Sequence, residues 1–358
     1  MRSNKNKKWW LTPLLLILAI IALHFFSLRG AWIEKVYSTH IYPPVAFLLR
    51  TLTGWLPFSL GDILYGLAFI YILYKIVQFF RHKPTWRKLL FALRDIAVKF
   101  LWVYLFFLLM WGLNYYRYGI GYQLNIIPES YSTEDLKNTT AQLLQNLNSS
   151  ARKLDSLHYT YPADKIIFQQ AINMYDSAQK KYTFLNYKHA AVKKMFVGTI
   201  GNYSGFLGYY NPFTGEAQVN TVVPPFVIPF TTCHEMAHQI GYASESEASF
   251  VGYLVTRYNN VPVFNYSAYF DLFTYANSEL YHRDSVAAKQ NVKLLDTLVK
   301  KDYAAYKKYL NAYRNPIAPL LTKLYGSYLK AHNQPQGIES YDEVVAWIVA
   351  YHKKYGTL

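Results

Sequence analysis

The chain has 358 residues, 52% of them hydrophobic, which is enough for a membrane portion and one domain of ordinary size. The net charge of +16 is uneven, with 14 Lys/Arg and 3 Asp/Glu before residue 114 against 23 and 18 after residue 113, so the nearly balanced later part argues against a nucleic-acid-binding protein. The single cysteine, Cys233, excludes an intrachain disulfide and a zinc site built from cysteines.

Three apolar runs near 9–28, 63–80 and 96–113 are long enough to cross a hydrocarbon core of ~30 Å as helices. No small-x-small cleavage site follows the first run, which favours an uncleaved anchor over a signal peptide. Between the first two runs, proline and glycine breaks predict interfacial or re-entrant helix. Ionisable residues within the runs are few, which argues against a transporter. These residues are His24, Lys75 and Lys99.

Basic residues cluster before the first run and after the second, which sets the orientation of the chain. The positive-inside rule places both clusters in the cytoplasm. The clusters are Arg2, Lys5, Lys7 and Lys8, and then Arg81, Lys83, Arg87, Lys88 and Arg94. We therefore expect a multi-pass membrane protein in contact with the lipid bilayer. Its membrane region covers residues 1–113, its N-terminus is cytoplasmic, and residues 114–358 form an extracytoplasmic domain.

The second part of the chain is dominated by the helical period. The predicted helices lie near 132–154, 162–182, 263–282, 285–313, 316–332 and 340–355. Strand signals are confined to 196–228, where an Asn-Pro-x-x-Gly turn between aromatic and β-branched runs predicts a hairpin. Either this hairpin belongs to a small sheet whose last strand runs just before the metal-binding helix described next, or it merely covers a helical core.

The stretch "TTCHEMAHQIGYASESEASF" places His234 and His238 at positions i and i+4, so both imidazoles project from one helix face and can share a metal ion. Glu235 points about 100° away and is free to act as a base. A zinc ion at such a site lowers the pKa of water and polarises a carbonyl. The alternative is a capping box between Thr232 and Glu235, with solvated histidines. Cys233 is expected to be a packed residue rather than a ligand.

A catalytic zinc usually has three protein ligands, and two carboxylates are candidates for the third. Glu245 lies on the histidine side of a continuous helix, whereas Glu247 lies nearly opposite. If the chain turns at Gly241, Ser244 becomes a helix cap and Glu247 completes its capping box. Both geometries favour Glu245 as the ligand, although a fold-back at Gly241 is needed to bring it to the metal.

The stretch "HEMAHQIGYASESEA" resembles the zincin metallopeptidases, and Glu245 followed by Ala248 is similar to the ligand helix of membrane-anchored gluzincins, where Ser249 is usually aspartate. A closer resemblance, over nearly the whole chain, is to the bacterial family catalogued as domain of unknown function 3810. It is carried by "LPFSLGDILYG", "WGLNYYRYG", "YYNPFTGEAQVN", "CHEMAHQIG", "EASFVGYL" and "GIESYDEVV". The family implies a multi-pass inner-membrane protein with a zinc site, and it supplies no reaction.

We therefore expect a multi-pass α-helical membrane anchor and a mainly α (α+β) zincin-like extracytoplasmic domain, with a small β-hairpin or sheet beside the histidine helix. The expected function is a zinc metallopeptidase acting on a periplasmic peptide or protein. Rivals are a zinc-dependent amidase of cell-envelope material and a non-enzymatic binding protein with a vestigial metal site. By analogy, Tyr341 stabilises the oxyanion, with Tyr281 or His282 as alternatives. The strand of Glu216, Ala217 and Gln218 is expected to bind the substrate by strand addition.

Overall fold

The computed structural model describes residues 10–81, 85–337, 339 and 343–358, and these form a mostly helical protein with one small sheet. The helices are α1 (Leu11–Ser27), α2 (Gly30–Trp32), α3 (Tyr42–Thr53), α4 (Leu60–Arg81), α5 (Trp86–Met110), α6 (Gly119–Leu124), α7 (Thr133–Ser156), α8 (Asp164–Ala178), α9 (Gly198–Ser204), α10 (Ile228–Gln239), α11 (Glu245–Asn259), α12 (Pro262–Arg283), α13 (Ser285–Lys293), α14 (Thr297–Ala312), α15 (Ala318–Ala331) and α16 (Val344–Tyr355). The strands are β1 (Val192–Lys194), β2 (Gly208–Asn211) and β3 (Glu216–Val219).

Among the described residues, only α4 is long and apolar enough to cross a membrane by itself. A second candidate is α1 together with Gly30–Thr53, a pair bent by 93°. This bend, with a π-helical stretch at Ile33–Ile41, lies where proline and glycine breaks predict interfacial or re-entrant helix. The third predicted span differs from the structure, because α5 begins well before residue 96. Residues 86–99 of this helix include five charged ones: Arg87, Lys88, Arg94, Asp95 and Lys99.

The sheet has the order β1-β3-β2, with β3 in the centre, parallel to β1 and antiparallel to β2. The β2–β3 pair confirms the predicted hairpin. Its turn is closed by the Asn211 side chain, whose Oδ1 accepts from the backbone N–H of Phe213, and by Gly215 with φ +70°. Strand β1 lies outside 196–228 and was not predicted, since three residues are too short for a periodic signal.

The substrate strand expected at Glu216, Ala217 and Gln218 is the central strand β3, and all three residues are fully buried. Strand β3 is hydrogen-bonded to β1 on one side and to β2 on the other, so it has no free edge for strand addition. The prediction that it binds the substrate in this way is therefore wrong. The Glu216 carboxylate instead accepts from the backbone N–H groups of Leu60 (3.0 Å) and Gly61 (2.7 Å). It therefore caps the N-terminus of the apolar helix α4 and joins that helix to the sheet.

The main core is formed by α7, α8, α10, α11, α12 and α16, which pack their apolar faces together. Most of the predicted helices are confirmed with ends shifted by a few residues. The helix expected at 285–313 is two helices, α13 and α14, because the Asp296 side chain accepts from the backbone N–H of Leu298 and starts a new helix.

Residues on the two sides of the predicted boundary at 113/114 pack into one second cluster. Ile33 and Tyr42 from the N-terminal part lie in it with Tyr115, Tyr210 and Ala243. A boundary at residue 113 thus separates side chains that share a core. The first 113 residues therefore do not form a unit that is separate from the domain.

Candidate metal centre

Helix α10 carries the histidine motif, and every one of its residues is buried. Pro229 lies in its first turn, where a missing N–H costs no hydrogen bond. Thr232 lies inside the helix and donates to the Ile228 carbonyl at 2.7 Å, so the capping-box alternative is wrong. The helix ends before Gly241, whose φ of +92° turns the chain back towards α11, as the predicted fold-back requires.

This fold-back brings Glu245 to the two histidines. His234 Nε2 lies 3.2 Å from His238 Nε2 and 3.2 Å from Glu245 Oε2, and His238 Nε2 lies 3.4 Å from the same oxygen. One ligand atom of each residue lies within 4.8 Å of the others. All three side chains are buried, so two imidazole nitrogens and one carboxylate oxygen converge on one point. We call His234, His238 and Glu245 the ligand cluster.

The other ring nitrogens are held by second partners. His238 Nδ1 lies 2.6 Å from the Tyr242 carbonyl, which can only accept, so Nδ1 carries a proton and Nε2 faces the cluster. His234 Nδ1 lies 3.0 Å from the Ser249 hydroxyl. The Ser249 hydroxyl is thus the partner of the His234 ring on the side away from the cluster. Such partners fix the tautomer and orientation of histidines that bind metals.

The electrostatics of the ligand cluster favour a cation among its members. Burial opposes ionisation of Glu245, but the two imidazoles outweigh burial and hold the pKa of this carboxyl well below its usual range. Burial also disfavours the charged form of His238, and Glu245 overcomes it and raises the pKa of His238 to about 9. For His234, burial prevails and lowers the pKa. In the absence of a metal ion, the anionic Glu245 is therefore paired with a protonated His238.

Glu235 lies beside the ligand cluster but outside it. Its Oε2 is buried and has no hydrogen-bond partner among the described residues, and burial raises the pKa of this carboxyl to about 8. Gly208 of β2 makes room for it, since a Cβ there would lie 2.6 Å from Glu235 Oε1. Two imidazoles and a carboxylate can bind a metal ion, and a buried carboxyl with a free oxygen beside them can act as a base.

Glu247, the alternative third ligand, points away from the histidines. Its Oε1 accepts from the backbone N–H of Ile120 at 2.9 Å, and Gly119 leaves it space. The predicted capping box with Ser244 does not form, because the Ser244 hydroxyl lies against that of Ser246. The structure therefore brings Glu245, and not Glu247, into the cluster.

Side chains from the N-terminal part hold the last carbonyls of α10. Trp111 Nε1 donates to the His238 carbonyl at 3.2 Å. The Gln239 carbonyl accepts from Arg50 Nη1 at 2.7 Å and from the Tyr42 hydroxyl at 2.9 Å. A helix end leaves its final carbonyls without partners within the helix, and here a guanidinium, a phenol and an indole supply them.

Arg117 completes this arrangement beyond the helix end. Its Nη1 donates to the Gly241 carbonyl at 3.2 Å, and its Nε and Nη2 bind both oxygens of the Glu34 carboxylate, at 3.0 and 2.8 Å. The Arg117–Glu34 pair is almost fully buried. We call the four donors the capping group: Tyr42, Arg50, Trp111 and Arg117. They lie far from α10 in sequence, and no motif in the chain predicted them.

Of the ligand cluster, His234 lines a cavity of about 580 Å³, together with Glu235. Tyr325 also lines this cavity, and the Tyr325 hydroxyl donates to Glu245 Oε1 at 2.5 Å. The sequence did not predict this contact, because nothing distinguishes Tyr325 from the other tyrosines among the 35 in the chain. Tyr281 and His282 are exposed, and neither lines this cavity. Tyr341 lies outside the described residues.

The comparisons with known proteins give a family and no reaction. A family model described as a protein of unknown function (DUF3810) matches residues 37–349. No curated protein matches the chain, and no solved structure does. The match includes the capping group and the ligand cluster, while α1 and α2 lie before it. The chain therefore belongs to the DUF3810 family.

Proposed function

We propose that this protein is a membrane-anchored zinc metallopeptidase that hydrolyses peptide bonds on the periplasmic side of the inner membrane. The observation that supports it is the convergence of His234 Nε2, His238 Nε2 and Glu245 Oε2, next to a cavity that His234 and Glu235 line. His234, His238 and Glu245 would hold the ion, which supplies Lewis-acid chemistry when bound. Two imidazoles and one carboxylate are ligands that suit zinc.

The protein's own groups then account for the proton transfers. Glu235 is the general base that takes a proton from the attacking water, and it afterwards gives this proton to the leaving amine. Its Oε2 is buried and has no hydrogen-bond partner among the described residues, so the carboxyl is available to accept and release this proton. Ser249 and the Tyr242 carbonyl keep the imidazoles in place during these steps.

The orientation rests on helix α4, which begins at the sheet and runs away from it. Glu216 holds its first residues, and Asp62 accepts from the backbone N–H of Phe196 at 2.7 Å. Its other end, Arg81, opens the basic segment of the sequence. Under the positive-inside rule, that end is cytoplasmic and the ligand cluster lies on the opposite side. We propose three spans, including α1 and α5, with the N-terminus in the cytoplasm.

The experiment is a cleavage assay with the full chain, purified in detergent and loaded with zinc. A peptide library and purified peptidoglycan serve as substrates, with Glu235→Gln as the matched control. We expect wild type, and not the variant, to cleave library peptides. Cleavage of peptidoglycan alone would replace the peptidase by an amidase. Folded, zinc-loaded wild type that cleaves neither substrate overturns the enzyme proposal and leaves a binding protein.

A further inference from the structure

The cavity beside the ligand cluster extends over a wall of aromatic side chains. Its aromatic lining comes from the 202–208 segment and from α12 and α14, and includes Tyr203, Phe206, Tyr275, Tyr306, Tyr309 and Tyr313. Helix α12 is fixed against α10 by the Ser267 hydroxyl, which accepts from the backbone N–H of Phe230 at 3.0 Å. One turn after Ser267, the same helix places Asp271 in the cavity lining.

Asp271 has no hydrogen bond and no ion pair with another described residue. Two other charged residues of the lining, Arg314 and Glu339, do not pair with it either. Burial raises the pKa of Asp271 to about 7. Burial, and after it the charge of Asp271, raises the pKa of Tyr306, which lines the same cavity. The carboxyl therefore shares the cavity with an aromatic ring, and no described residue forms an ion pair with it.

An uncompensated carboxylate next to aromatic faces has a definite ligand preference. Removing a carboxylate from water is unfavourable unless a cation or a set of hydrogen bonds replaces the water. Aromatic faces attract cations, most strongly where water is excluded. The two effects together favour a compact positive group on an alkyl stem, because the stem packs on the rings while the charge meets the carboxylate.

We propose that Asp271 and Tyr306 form a subsite that binds an alkylammonium group of the substrate and thereby determines its specificity. The group is either a lysine side chain or a free amino terminus, which share this chemistry. The inference rests on the proposed hydrolase function, because the subsite lines the same cavity as His234 and Glu235. It adds a recognition role for a residue outside the histidine motif.

The first test compares substrates that differ only in the charged group. Internally quenched peptides carry lysine or norleucine at one position, each with a free or an acetylated amino terminus, and are assayed with the full, zinc-loaded chain. We expect the ammonium to raise kcat/KM by about 10- to 100-fold in wild type and hardly at all in Asp271→Asn. The acetylated set shows which of the two sources is bound. The matched control, Glu339→Gln, should keep the preference.

A second measurement separates this proposal from the hydrolase proposal. The full-length Glu235→Gln variant is titrated calorimetrically with acetyl-Gly-Lys-Gly amide, Gly-Nle-Gly amide and the neutral acetyl-Gly-Nle-Gly amide, with and without Asp271→Asn. Tighter binding of either ammonium peptide that depends on Asp271, without any hydrolysis by wild type, supports the subsite and overturns the peptidase. Hydrolysis with no difference between the ammonium and neutral peptides does the reverse. An equal or higher melting temperature of Asp271→Asn shows that a lost preference does not come from unfolding.

Discussion

The cavity side of α10 and its C-terminal end are organised by opposite means. On the cavity side, His234, Glu235 and His238 follow from local helical spacing, and Glu245 is reached by one turn of the chain. At the end, the carbonyls of His238, Gln239 and Gly241 are held by the capping group, from distant parts of the sequence. The difference indicates that a short motif can encode chemistry, whereas its placement depends on contacts that the motif does not contain.

The largest effect is expected from Glu235→Gln, which should change activity and leave the metal in place. Loss of a general base should lower kcat/KM by about 100- to 10,000-fold. Zinc content should not change, because Glu235 is outside the ligand cluster. Turnover measurements and elemental analysis of the same preparation test both statements. If the variant loses its metal, Glu235 is a ligand and the separation between base and cluster is wrong.

At the helix end, Arg117→Met should act on stability. The substitution leaves the Glu34 carboxylate buried without its partner, at a cost of about 3–5 kcal/mol in the free energy of unfolding. The double variant Glu34→Gln, Arg117→Met should recover most of this loss, since no unpaired charge remains. Denaturant titrations of the full chain in detergent measure both. Equal destabilisation by the single and double variants would mean that the buried pair contributes only through packing.

A smaller effect, on zinc affinity, is expected from Tyr325→Phe, because Tyr325 is not a ligand but forms a hydrogen bond to one. The variant removes the hydroxyl that donates to Glu245 Oε1, so zinc affinity should fall about 10- to 100-fold, as measured by chelator competition. Tyr328→Phe is the control, because Tyr328 stacks on Tyr325 and its hydroxyl meets Tyr115 instead. Loss of affinity in both variants would assign the effect to packing of the tyrosines.

The smallest effect concerns Asp271 and depends on pH. The folded protein holds its proton up to about pH 7, while the unfolded chain releases it near 3.8, so this residue's contribution to stability is lost as the pH rises between these values. In the Asp271→Asn variant, this loss of stability with rising pH does not occur. Its melting temperature should exceed that of wild type by about 2–4 °C at pH 8 and by less at pH 5. Glu235, Arg314 and Glu339 line the same cavity and are present in both proteins. A pH-independent difference would contradict the burial of an ionised Asp271.

The sequence predicted what short-range periodicity determines. The ends of α7 and α12, the hairpin and the fold-back at Gly241 were all found from caps, turns and helical spacing. The split between α13 and α14 was missed because the helical period continues across it, and only the Asp296 cap marks the break.

The errors in the candidate site have one physical source. Glu216 was assigned to substrate because it begins a strand, yet it caps the N-terminus of α4, more than a hundred residues earlier in the chain. Arg117 and Trp111 belong to segments that read as a membrane boundary, although both hold the end of α10. Long-range partners leave no periodic trace in a single sequence, so such roles become visible only once the chain is folded.

The most direct test of the three-residue cluster is elemental analysis of the purified full-length protein. The full chain is required because the capping group comes from the N-terminal part. We predict about one zinc per chain in wild type, loss of the metal in His238→Ala and Glu245→Gln, and retention in Glu247→Gln, whose carboxyl binds the Ile120 backbone instead. A folded wild type without metal, or a variant pattern in which Glu247 and not Glu245 is needed, would contradict the account.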